Sequence, residues 1–204
     1  RYMPMAANYS KICQTVLGRA VNQYVDGVYV FGTYGDDEVL MFVPSINVFG
    51  TSLPATIRLA VPKEGIGAVA VFPLQDREGT DLLAVGGDRL YRYPFAEQKD
   101  CVKTELGKPR ELCKDELLRG TKKMLTCMEE DGCSVWVLSE NGVLSYARGS
   151  VSESGFSCSG GFFVFEKDVY DFDIIEGKLF LCTKEQILYG ERETDTGQWK
   201  LEKV

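Results

Sequence analysis

Histidine is absent from all 204 residues, and that one gap removes most of the common catalytic repertoire. Without imidazole there is no Ser-His-Asp or Cys-His nucleophile, no facial triad for non-haem iron and no ordinary catalytic zinc site. Metal spacing is missing as well: the seven cysteines contain no C-x-x-C pair. Long apolar runs are lacking, the longest being strand-sized stretches such as 39–43 and 68–72, far short of the roughly 18 residues of a membrane helix. Positive charge is scarce. The 23 Lys and Arg face 30 Asp and Glu, and a net charge of -7 repels both the nucleic-acid backbone and anionic lipid. Neither nucleic acid nor a membrane is expected as a partner, and no Ser-rich, Pro-rich or low-complexity linker divides the chain.

What is present is a strand pair that recurs four times. It reads Asp26-Gly-Val-Tyr-Val-Phe with Glu38-Val-Leu-Met-Phe, and Asp81-Leu-Leu-Ala-Val-Gly with Arg89-Leu-Tyr-Arg-Tyr. The third and fourth copies are Cys133-Ser-Val-Trp-Val-Leu with Val143-Leu-Ser-Tyr, and Lys178-Leu-Phe-Leu-Cys with Gln186-Ile-Leu-Tyr. Aligning Val39, Leu90, Val143 and Ile187 gives steps of 51, 53 and 44 residues. Periods of this size predict an all-β chain, a β-propeller of about four blades or a segment of a larger propeller, in which each blade buries its faces against its neighbours.

The blades fall at about 19–64, 65–107, 120–166 and 167–204, within one domain spanning 19–204. Between the second and third, Pro109, Leu112, Leu117 and Gly120 predict one short inserted helix near 108–119. Residues 1–18 form an N-terminal segment with one expected strand at 11–17. That strand is expected either to close a four-bladed ring by joining the fourth blade or to belong to a blade otherwise missing.

Three local features resemble known propeller families. Glu193-Thr-Asp195-Thr-Gly197-Gln-Trp199 resembles a degenerate aspartate-box turn of sialidase-like propellers, without the leading Ser and with Trp one position early. Leu83-Ala-Val-Gly86-Gly87 followed by Tyr91-Arg-Tyr93 resembles part of a kelch blade, although its diglycine does not recur in the other copies. Gly177 to Tyr189 is similar to tachylectin-type lectin blades, which implies sugar binding. These resemblances bear on architecture and single out no one family.

Among candidate site residues, Tyr24, Tyr29 and Tyr34, with Asp36 and Asp37 in the adjoining turn, form an expected exposed stacking surface for peptide or sugar. Asp171 and Asp173 alternate with Phe172 and Ile174 on an expected innermost strand. That pattern aims the carboxylates at a central channel, where they would line water or hold Ca²⁺. Cys127 and Cys133 flank a five-residue turn and could form a disulfide across a hairpin, with Cys101 and Cys113 as a weaker second pair. These cysteines, with an Asn8-Tyr-Ser sequon, tilt the compartment toward secreted or lumenal rather than cytoplasmic. Carboxylates at Asp36-Asp37-Glu38 and Glu129-Glu130-Asp131 fall in turns, where solvation is their ordinary fate.

The expected function is a non-catalytic binding module, chiefly for another protein, including assembly with a chain that supplies further blades. The alternatives are a carbohydrate-binding lectin, with a glycan ligand, and a sialidase-like or other glycoside hydrolase built from carboxylate, Tyr and Arg side chains. No catalytic residue and no cofactor other than Ca²⁺ is expected.

Overall fold

Period-two alternation and hairpin turns dominate the described residues, which in this computed structural model are 11–20, 25–44, 57–73, 80–93, 108–129, 132–152, 155–158, 160–193 and 198–204. They form four antiparallel sheets whose strands follow chain order. The first holds β1 (Lys11–Ala20), β2 (Val25–Tyr34), β3 (Asp37–Pro44) and β4 (Ile57–Leu59). The second holds β5 (Ala68–Pro73), β6 (Thr80–Gly86), β7 (Arg89–Tyr93) and β8 (Arg110–Lys114). The third comprises β9 (Thr121–Glu129), β10 (Gly132–Ser139) and β11 (Leu144–Ser152), with β12 (Gly155–Cys158) and β13 (Phe163–Glu166) sharing the outer edge of β11. The fourth holds β14 (Val169–Ile175), β15 (Lys178–Thr183), β16 (Ile187–Arg192) and β17 (Trp199–Lys203).

Alternating side chains show how the sheets stack. Successive residues of a strand point to opposite faces, so a strand buried along its whole length is covered on both sides. On β6, Leu82 and Ala84 join a cluster with Tyr29, Phe31 and Phe42 of the first sheet, while Leu83 and Val85 join one with the third. On β10, Cys133, Val135 and Val137 face the second sheet, whereas Trp136 and Leu138 meet Phe172, Leu179 and Leu181 of the fourth. The second and third sheets are therefore each sandwiched between neighbours.

Side chains also tie the first strands to one another. Gln14 spans the Val69 backbone, its amide nitrogen donating to the carbonyl at 2.7 Å and its amide oxygen accepting from the N–H at 2.9 Å. Thr126 donates its hydroxyl to the Val71 carbonyl at 2.6 Å. Val69 and Val71 point the same way along β5, so the edge of β5 not paired with β6 is occupied from both neighbouring sheets. Further along, Lys123 pairs with Asp171 at 2.8 Å and Lys122 donates to the Tyr170 carbonyl at 3.2 Å.

Three expectations need correction. The strand at 11–17 does not join the fourth blade: it is part of β1, which pairs with β2 from Lys11↔Thr33 to Ala20↔Val25 and starts the first sheet. The segment at 108–119 is not a helix. Pairing of Arg110 and Glu111 with Arg92 and Tyr91, and of Cys113 with Leu90, makes it the outer strand of the second sheet, and only Glu116–Leu118 coils, as a 3-10 turn capped by Asp115. The fourth strand expected at 101–106 lies outside the described residues, and β8 takes that place in the sheet.

Candidate interaction surface

The fourth sheet differs from the others in leaving one whole face open. Its inward face carries Phe172, Ile174, Leu179, Leu181, Leu188 and Leu201, packed on the third sheet. The strand registers place the outward side chains in three rows across the four strands. One row runs Asp173, Phe180, Tyr189, Glu202 and a second Ile175, Lys178, Glu191, Lys200. The third runs Asp171, Cys182, Ile187 to Val204, whose N–H donates to the Ile187 carbonyl at 3.1 Å.

At the centre of this face Phe180 and Tyr189 hold their ring centroids 5.4 Å apart. Lys178 sits 5.5 Å above the Tyr189 ring and 3.0 Å from Glu191, which also accepts from the Tyr189 hydroxyl. Hydrogen bonds from Tyr189 and Lys178 hold the Glu191 carboxyl below its ordinary range, and the same Tyr189 and Glu191 contacts push the Lys178 ammonium up. Apolar groups surround this centre: Ile175 and Ile187 are each 54% exposed and Val204 is 82% exposed. Tyr170, earlier on β14, is 58% exposed. Aromatic and aliphatic groups at the middle with paired charges around them match the composition of protein interfaces.

Asp171 and Asp173 belong to this open face. Asp171 accepts from Lys123 at 2.8 Å and from the Phe172 N–H at 2.9 Å; burial raises its pKa, and the bonds to Lys123 and Phe172 more than reverse that. Asp173 accepts from the Ile174 N–H at 2.8 Å. A Ca²⁺ ion here would have to displace Lys123, and among the described residues no group of three or more His, Cys, Asp or Glu is placed to hold a metal.

The other sequence candidates separate. Tyr29 is fully buried against Phe42, with centroids 4.9 Å apart, which removes it from any exposed stacking surface. Tyr34, Asp36 and Asp37 remain exposed at the β2–β3 turn, and Tyr24 lies outside the described residues. Cys127 and Cys133 are both free. The hairpin pairs Cys127 with Ser134 and Cys133 with Met128, so the two thiols point to opposite faces of the third sheet and no disulfide between them is in reach. Cys101 lies outside the described residues.

Glu129, read from sequence as a solvated turn residue, has instead a side chain only 7% exposed. It takes Arg192 of the fourth sheet at 2.6 Å, Arg148 at 3.2 Å and the Ser134 hydroxyl at 2.8 Å. Ser134 in turn accepts from the Trp136 indole N–H at 2.9 Å. A carboxylate committed to two guanidinium groups is a tie between sheets, with no free lone pair aimed at a reacting group. Sequence could not supply Arg192, because the 63-residue separation leaves no local signal.

No protein-family model matches the chain, and no curated protein is significantly similar to it. What fold and surface define is an all-β protein of four successive antiparallel sheets with one open sheet face.

Proposed function

We propose that the chain is a non-catalytic protein-binding module, a propeller-like run of four blades whose open fourth sheet receives another polypeptide, such as one that supplies a further blade. The observation that carries this reading is the contrast between sheets. The central strands of the second and third sheets are covered on both faces, whereas the fourth presents Ile175, Phe180, Ile187, Tyr189 and Val204 on a face that no described residue covers. The ties among β1, β5, β9 and β14 support a propeller-like run, since blades of a propeller adjoin through their first strands.

Ile187→Lys and Phe180→Asp put charge at the middle of the face without touching the cluster behind it. The expected result is a native mass by light scattering above 22.7 kDa, either alone or with a protein from its source bound, that falls to the monomer in both variants. A wild-type chain that stays a 22.7 kDa monomer in both conditions rejects the reading. Binding of that monomer to a glycan array would put carbohydrate in the place of protein.

A further inference from the structure

The seam between the second and third sheets brings together two half-buried thiols from strands far apart in sequence. Cys113 lies on β8 opposite Leu90, and Cys158 ends β12 opposite Gly149. The two strands approach within 8 Å between Cα atoms, and both cysteines pack against the apolar cluster that joins the sheets. Their sulfurs interact directly, the Cys113 thiol donating to Cys158. Neighbouring bonds hold the seam closed. Asp115, two residues beyond Cys113, accepts from the Phe162 N–H at 2.8 Å with one oxygen and from the Leu117 N–H at 3.0 Å with the other.

The local chemistry assigns the two sulfurs different roles. The hydrogen bond from Cys113 lowers the Cys158 thiol below its ordinary range against the effect of burial, with help from the Gly161 N–H. The same bond, with burial, pushes Cys113 up. Cys133 shares a cross-strand row with Gly149 and Cys158, but it is 1% exposed and burial pushes its thiol up to about 12. Thiolate character and access therefore single out Cys158 as the attacking group, with Cys113 as its resolving partner.

We propose that Cys113 and Cys158 form a reversible disulfide that locks the second sheet to the third under oxidising conditions. The oxidant is a low-molecular-weight disulfide. The Cys158 thiolate attacks one of its sulfurs, breaking the S–S bond and releasing one small thiolate. Cys113 then loses its proton and displaces the second small thiolate from the mixed disulfide. Two protein thiols and one small disulfide become one protein disulfide and two small thiols, with both protons accounted for and two electrons passed to the oxidant.

The test is incubation of the purified chain in glutathione buffers from fully reduced to fully oxidised, followed by intact mass, non-reducing peptide mapping and thermal melting. The expected outcome is a loss of about 2 Da, mapped to a Cys113–Cys158 linked peptide pair and reversed by dithiothreitol. The melting midpoint should rise by roughly 5–10 °C in the oxidised form, from restriction of the unfolded chain. Cys158→Ser should abolish both effects and Cys127→Ser should leave both in place. Unchanged mass under full oxidation, a stable glutathione adduct that Cys113 does not resolve, or a link to a different cysteine such as Cys101 would each overturn the proposal.

Discussion

Single side chains in this molecule matter most where charge or large rings are sealed between strands. Asp81 is fully buried and its carboxylate meets the Arg92 guanidinium at 2.6 Å across the β6–β7 pair. Arg92→Ala removes the counter-charge and leaves the carboxylate in an apolar setting, a change expected to cost roughly 3–5 kcal/mol by urea denaturation. Trp136 is equally enclosed, stacked on Tyr146 at 4.8 Å and edge-on to Phe165 at 5.1 Å and Trp199 at 5.4 Å. Trp136→Ala should cost about 3–5 kcal/mol in the same measurement, and a loss under about 1 kcal/mol would contradict this packing.

Acid acts on a different set of residues. Burial raises the pKa of the Asp88 carboxyl, but Lys114 at 3.7 Å and Arg119 at 2.8 Å outweigh it and leave the group below its ordinary 3.8. A carboxyl lowered by folding contributes stability that is complete above its unfolded pKa and is lost as pH falls through the folded one. The melting midpoint should therefore decline below about pH 4, and less steeply in Asp88→Asn than in wild type. Parallel declines in the two proteins would remove Asp88 from the acid response.

Between neighbouring elements, turns and close approaches set the geometry. The β14–β15 hairpin closes through Glu176 and Gly177, both at positive φ of 50° and 75°. Such two-residue turns favour Asn-Gly, because asparagine enters the left-handed region at less cost than glutamate. Glu176→Asn should stabilise the fold by about 0.5–1 kcal/mol in thermal or urea melts, and destabilisation would mean that Glu176 makes a contact worth more than the turn preference. Gly67 is small for another reason: a Cβ there would lie 2.3 Å from the Thr121 carbonyl, where the second sheet meets the third.

The sequence made these hairpins legible and the longer connections not. Val39, Leu90 and Ile187 fall on the third strands of their sheets and Val143 directly precedes one, so the aligned repeat tracked the tight hairpin between second and third strands. Fourth strands follow longer loops with no fixed spacing. Residues 110–114 read as helix because Pro109, Leu112 and Leu117 fit a helical turn, yet pairing with β7 decides their conformation. The Cys127–Cys133 expectation failed on parity alone, since a shift of one residue in the hairpin turns a side chain to the other face. The open face of the fourth sheet was half visible: alternation marked Asp171 and Asp173, but whether a neighbouring sheet covers them depends on stacking that no local pattern encodes.

At the scale of the whole molecule, each sheet is one continuous stretch of chain, and each apolar cluster joins a sheet to the next one along. This order of packing bears on how the protein is made as well as on what it binds. A ribosome delivers the first sheet complete before the second begins, and every later sheet emerges beside the surface it must cover. Assembly can proceed by accretion from the N-terminal side, without waiting for distant segments, as in other proteins built from stacked repeats. The same logic marks the vulnerable moment of synthesis. Until β14 and β15 arrive, Trp136 and Leu138 face solvent on the third sheet, and a nascent chain stalled there would display its most aggregation-prone surface.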